Sequence, residues 1–119
     1  MSDVVHWVVT FDVKEGQFES FKTVMNDLVS STRNNEPDTT HYEWFASDDE
    51  KHLNLYERYR TSAAAMIHLN TFAEKFAERL LATVDPKGVV IYGNPSSDVV
   101  AALGDLAPVV MKQIGGFAR

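Results

Sequence analysis

Between Val5 and Val13 every second residue is apolar: Val5, Trp7, Val9, Phe11 and Val13 form an unbroken row. A period of two over nine residues marks a β-strand with one face in a core. The intervening row, Val4, His6, Val8, Thr10 and Asp12, is mixed. Such a strand packs helices on its pure face, and something partly wet or a partner subunit on the other. After Lys14-Glu15-Gly16 the period changes. Phe18, Phe21, Val24, Met25, Leu28 and Val29 recur at three- and four-residue spacing. This predicts an amphipathic helix of about four turns. It ends near Arg33-Asn34-Asn35, and Pro37 prevents its continuation.

Thr39 to Ala46 and His52 to Tyr59 read as two strands of a hairpin, joined by the polar five-residue loop Ser47-Asp48-Asp49-Glu50-Lys51. Thr61 or Ser62 caps a second helix, with Leu69, Phe72, Phe76 and Leu80 as its apolar stripe. Asp85-Pro86-Lys87-Gly88 reads as a turn and Val89 to Tyr92 as a fourth strand. The order strand, helix, strand, strand, helix, strand predicts an α+β fold of the ferredoxin-like, split βαβ type, with an antiparallel sheet carrying both helices on one face. Residues 1–95 make up this domain and residues 96–119 a C-terminal helix and strand extension of it. In the extension Ser96-Ser97-Asp98 caps a short helix to Leu103, Pro108 breaks the chain, and Val109 to Ile114 forms a fifth strand. That strand is expected on an open sheet edge, the partner's in preference to its own, because an exchanged arm reinforces a dimer.

Two helices cover one face of such a sheet. The other is expected to carry Val4, Val8, Tyr42, Trp44 and Tyr56, too apolar for water, which predicts a homodimer formed by pairing these faces. The chain has 11 Lys and Arg against 17 Asp and Glu, a net charge of −6, which argues against nucleic-acid binding. Cysteine is absent, so disulfides and thiolate metal sites are excluded. Neither a long apolar span nor a basic leader precedes the fold, so no membrane association and a cytoplasmic location are expected.

Several short motifs together resemble the antibiotic biosynthesis monooxygenase superfamily. They are the first strand with Lys14-Glu15-Gly16, the helix exit Thr32 to Pro37 leading into Tyr42-Glu43, and Leu55-Tyr56-Glu57-Arg58-Tyr59 followed by His68. The ending Val90 to Ser96 with Gly115-Gly116-Phe117-Ala118-Arg119 is similar to a longer-tailed subgroup. The resemblance implies a dimeric α+β barrel and a monooxygenase that uses dioxygen without a cofactor on a small aromatic, a quinol or polyketide-like phenol. Glu57 and His68 match two of the family's positions. Arg58 stands where the family often has tryptophan. Haem degradation is not implied, because the first strand has no asparagine and the second helix no tryptophan.

Read from the residues themselves, His68 lies at the edge of the second helix's apolar stripe, with Ala64 and Ala65 one turn earlier leaving space beside the imidazole. A histidine there can remove or return a proton near neutral pH. Glu57 shares a row with Leu53 and Leu55, so its carboxylate needs a partner: His68, Arg58 or Arg60. Trp7, Phe11, Phe72 and Phe76 are candidates to line an aromatic substrate pocket, or else core packing. His6, His41 and His52 have no metal-ligand spacing, so no metal is expected. The same residues leave two alternatives open. One is an isomerase or lyase shuttling protons with His68 and Glu57. The other is a non-enzymatic dimer that binds a small ligand.

Overall fold

A computed structural model describes residues 3–119. The elements are β1 (Val5–Val13), α1 (Phe18–Asn35), β2 (Thr39–Ala46), β3 (His52–Tyr59), α2 (Ser62–Lys75), α3 (Ala77–Leu81), β4 (Val84–Gly93), α4 (Ser97–Ala102), a 3₁₀ turn (Gly104–Leu106) and β5 (Val109–Met111). The sheet order is β2-β3-β1-β4-β5. The first four strands are antiparallel neighbours, as the ferredoxin-like reading requires. The sheet is open at both edges. Among the described residues, no helix is long and apolar enough to cross a membrane.

The pure row of β1 lies under the helices. Trp7, Val9 and Phe11 stand opposite Glu57, Leu55 and Leu53 of β3, and Trp7 and Val9 opposite Ile91 and Val89 of β4. Phe21, Val24 and Leu28 of α1, Ala64 and Ala65 of α2, and Leu80 of α3 close over this row. Thr61 caps α2, accepting a hydrogen bond from the Ala64 N–H at 3.1 Å. β4 ends on Gly93 at φ +103, where a Cβ would lie 2.8 Å from the Val4 carbonyl oxygen, so only glycine fits.

Four expectations need correction. The hairpin strands and the loop Ser47 to Lys51 lie where they were read, but Ala46 pairs with Leu53 and the Ser47 N–H bonds the His52 carbonyl, which offsets the pairing by one residue from the register that sets Tyr42 beside Tyr56. A one-residue change of register turns every side chain of a strand to its other face. Tyr42 and Trp44 therefore stand opposite Glu57 and Leu55, on the helix side, and not on the uncovered face with Val8 and Tyr56. Second, β4 begins at Val84: the supposed turn Asp85 to Gly88 continues the strand, with a register shift that leaves Lys87 unpaired. Third, the second helix breaks at Phe76 into α2 and α3. Fourth, β5 is three residues long and pairs in parallel with this chain's own β4, which makes the sheet mixed and the arm intramolecular.

Candidate active site

Three buried side chains from three elements meet between helices and sheet. Glu36 follows α1 directly, held there because its N–H still bonds back to Thr32 while Pro37 forces the chain outward. Glu57 is on the covered row of β3, and His68 is on the inward face of α2 one turn after Ala64 and Ala65. They are only 7%, 3% and 4% exposed, respectively. His68 Nδ1 is 2.8 Å from Glu36 Oε1 in a hydrogen bond. Its Nε2 lies 3.2 Å from Glu57 Oε1 as an ion-pair contact. Glu57 also accepts hydrogen bonds from the Trp7 indole N–H at 2.6 Å and the Tyr59 hydroxyl at 2.6 Å. Thr39 Oγ1 donates to Glu36 Oε1 at 3.4 Å.

The charges follow from this geometry. Burial alone would pull the His68 pKa down. The Glu36 hydrogen bond and the charges of Glu57 and Glu36 outweigh it and hold the pKa above the ordinary 6.5. The two acids that flank His68 thus favour its imidazolium form. Burial raises the Glu57 carboxyl, opposed by the His68 charge and by the Tyr59 and Trp7 hydrogen bonds. Tyr59 is pushed well above 10, first by burial and then by the Glu57 charge beside it. Tyr42, whose ring centre is 5.2 Å from that of His68, is raised for the same two reasons. The Nδ1 side of His68 is fixed by Glu36, which leaves Nε2 as the nitrogen able to exchange a proton with Glu57. That division, one nitrogen oriented and one working, is how histidine relays are built.

Of the residues singled out from the sequence, the fold brings His68, Glu57 and Trp7 together. Arg58 points to the opposite face of the sheet, and Arg60 pairs with Asp38 at 3.5 Å, so neither is the partner of Glu57. Phe11 is core packing against Trp44, with ring centres 5.5 Å apart. Phe72 and Phe76 stand half-buried at the edge of the core. The Trp44 indole N–H is buried and approaches the Tyr42 phenol without reaching hydrogen-bond geometry. Two clefts open elsewhere. One of about 980 Å³ lies on the uncovered sheet face, and one of about 380 Å³ lies between the β1–α1 turn and the hairpin loop. Neither is lined by His68, Glu57 or Glu36.

Residues 4–85 match the antibiotic biosynthesis monooxygenase family. The chain belongs to that family. No curated protein matches the sequence. Among solved structures, MupZ from Pseudomonas fluorescens superposes with a TM-score of 0.86 at 18% identity, covering 100% of this chain and 91% of that one. SnoaB from Streptomyces nogalater, described as a cofactor-independent oxygenase, has a TM-score of 0.67 at 15% identity, covering 81% of this chain and 97% of its own. PA3566 from Pseudomonas aeruginosa has a TM-score of 0.62 at 24% identity, covering 76% of this chain and 91% of its own. At these identities the likeness is one of fold. The MupZ superposition spans the C-terminal extension of this family member, and the other two stop short of full length.

Three site residues escaped the sequence reading: Glu36, Tyr59 and Tyr42. Glu36 had one signal, an acid trapped between a helix end and Pro37. Tyr42 needed the hairpin register, which the loop composition does not give.

Proposed function

We propose that this family member is a cytoplasmic, cofactor-independent monooxygenase that oxidises a small aromatic, a quinol or polyketide-like phenol, with dioxygen. The observation that carries the reading is the Glu36–His68–Glu57 relay, a titratable histidine held between two acids in the buried core. Such an arrangement is costly unless the charges are used or fully satisfied. SnoaB, of the same fold, is described as a cofactor-independent oxygenase, and this supports the chemistry.

The substrate is a phenol that reacts as its keto tautomer at a CH₂ carbon. Glu57, with His68 behind it, takes one proton, and the resulting carbanion reduces dioxygen to a bound peroxide. The His68 imidazolium protonates the distal peroxide oxygen and regains the proton held on Glu57. Glu57 then takes the second proton of the same carbon, the C–H electron pair forms the carbonyl as the O–O bond breaks, and that proton joins the departing hydroxide. One oxygen stays on carbon as a carbonyl and the other leaves as water. Four electrons pass from the substrate to dioxygen, so the step needs no external reductant. Catalysis then consists of proton placement and exclusion of water. In this reading the substrate enters past the half-buried Tyr42 toward Nε2 of His68. Phe72 and Phe76 flank the approach, and Trp7 and Phe11 form its floor. The protein acts as a homodimer joined through the uncovered sheet face.

Oxygen uptake with naphthoquinols and polycyclic phenols tests this. The wild type should consume dioxygen without added flavin, haem or metal, and His68→Ala should lower the rate about 10²–10⁴-fold. Activity unchanged in His68→Ala would overturn the assignment. A second reading has one observation in its favour: all three relay groups are buried and neither described cleft reaches them. There the relay only pins α2 to α1 and β3. Absence of oxygen uptake across the panel, with His68→Ala merely destabilised, would favour that reading.

A further inference from the structure

Among the described residues one buried side-chain donor has no acceptor, the Nε1–H of Trp44. The chain's other indole, Trp7, donates to Glu57 at 2.6 Å, so the fold can satisfy such a group and leaves this one unanswered. A buried donor without a partner costs stability, and a fold that keeps one has a use for it elsewhere. The Tyr42 hydroxyl is similarly free to donate. Tyr42 stands opposite Glu57, yet that carboxylate takes its hydrogen bonds from Trp7 and Tyr59 and not from Tyr42. Tyr42 and Trp44 lie two residues apart on the covered face of β2, with ring centres 6.2 Å apart and planes at 84°. The Tyr42 ring centre is in turn 5.2 Å from that of His68. β2 is the outermost strand on its side of the sheet, so the pair sits at the rim of the core, and both residues are half-buried there.

We propose that the Trp44 N–H and the Tyr42 O–H form a donor pair for one ligand oxygen, the ketone oxygen conjugated with the carbon that Glu57 deprotonates. This rests on the oxygenase reading above and names the side chains that recognise its substrate. When the CH₂ carbon loses its proton, the negative charge spreads onto that ketone oxygen. Donors already fixed in place stabilise the resulting enolate more than the neutral ketone. Phe11 and Phe21, with ring centres 5.5 and 5.2 Å from that of Trp44, hold the indole, so its N–H is set before the ligand arrives. Burial and the Glu57 charge keep the Tyr42 proton on its oxygen, which makes the phenol a donor. The ligand class follows. An aromatic ketone with its oxygen toward β2 and its CH₂ toward His68 meets both donors. A hydrocarbon leaves them unanswered, and a carboxylate would meet repulsion from Glu57 and Glu36.

Fluorenone tests the pair, because it is an aryl ketone with no CH₂ hydrogen to lose and so binds without turnover. Its dissociation constant and carbonyl stretching frequency are measured with wild type, with Tyr42→Phe, and with Trp44 replaced by 3-benzothienylalanine. That residue keeps the fused ring and puts sulfur in place of the N–H. Wild type should bind fluorenone with its stretch lowered from the value in hexane, the signature of hydrogen bonds to the oxygen. Each variant should weaken binding about five- to tenfold and move the frequency back toward the hexane value. The benzothienyl variant should melt at the wild-type temperature or above it, since it no longer buries an unanswered donor. Circular dichroism checks folding, and Tyr42→Phe alone decides if the benzothienyl variant fails it. Unchanged affinity and frequency in the variants would overturn the pair, as would a wild type that does not bind fluorenone. The two readings fail separately. Fluorenone held through both donors, with no oxygen uptake on any phenol, overturns the oxygenase and leaves the donor pair standing. Oxygen uptake, with fluorenone binding indifferent to either variant, overturns the pair and leaves the oxygenase.

Discussion

The two faces of the sheet are built from alternate residues of the same strands, yet they solve the problem of charge in opposite ways. On the covered face each charged group is answered within the chain. Glu57 takes hydrogen bonds from Trp7 and Tyr59 and faces His68, and His68 is held in turn by Glu36. On the uncovered face Arg58, one residue along, has no ion pair among the described residues. The covered face is closed and its polar groups act on one another. The open face is unfinished. Adjacent residues on one strand can therefore belong to different kinds of site, and their substitutions should separate cleanly.

The sharpest separation is between Glu57 and Arg58. Glu57→Ala leaves a buried imidazolium and two buried donors without their acceptor, which should cost about 3–5 kcal/mol of folding stability. Arg58→Ala, measured in urea at the same protein concentration, should stay within about 1 kcal/mol. Equal losses at the two positions would break the distinction between the faces. A second pair works on β2. Trp44 packs between Phe11 and Phe21, so Trp44→Ala should cost about 2–4 kcal/mol, whereas Phe45, 55% exposed, should cost less than about 1 kcal/mol. This comparison also checks the hairpin register, since a slip of one residue would exchange the two results.

Histidines give a smaller effect with opposite signs. His68 has its pKa raised in the fold, so its stabilisation is complete below 6.5 and is lost as pH rises through the folded value. His6 has its pKa lowered, first by burial and then by Arg58 and His41, so the fold loses stability as pH falls below 6.5 through the folded value. In melting experiments the penalty of His68→Asn should shrink from about pH 6 to about pH 9, and that of His6→Asn should shrink from about pH 8 to about pH 5.5. Parallel trends in the two variants would contradict the environments described for them.

How much of this was legible in the sequence depends on range. The alternation in β1 and the three-four spacing of α1 are local, and both elements formed where they were read. The element order then implied the ferredoxin-like fold. The placement of His68 and Glu57 also followed from local reasoning, one at the edge of a helix stripe and one in an apolar strand row. Tyr42 and Trp44 were misplaced because the face of β2 depends on where the hairpin closes. Ser47 bonds both Asp49 and His52 and so offsets the pairing by one residue, a choice that side-chain geometry makes and composition does not. Glu36 was passed over for a different reason. Its partner is 32 residues away, and only the packing of α1 against α2 and the sheet brings them together. The polarity of β5 was likewise set by tertiary pairing and not by its own apolar run.

The relay's central requirement is that His68 holds its proton to higher pH than His6 on the other face. Nitrogen-15 imidazole chemical shifts, followed against pH in the wild-type protein with His68→Asn and His6→Asn for assignment, measure this directly. The account predicts that His68 keeps two protonated ring nitrogens to pH above 6.5 before it titrates, and that His6 titrates below 6.5. A His68 found as a single neutral tautomer at neutral pH, titrating at or below the ordinary value, would contradict it.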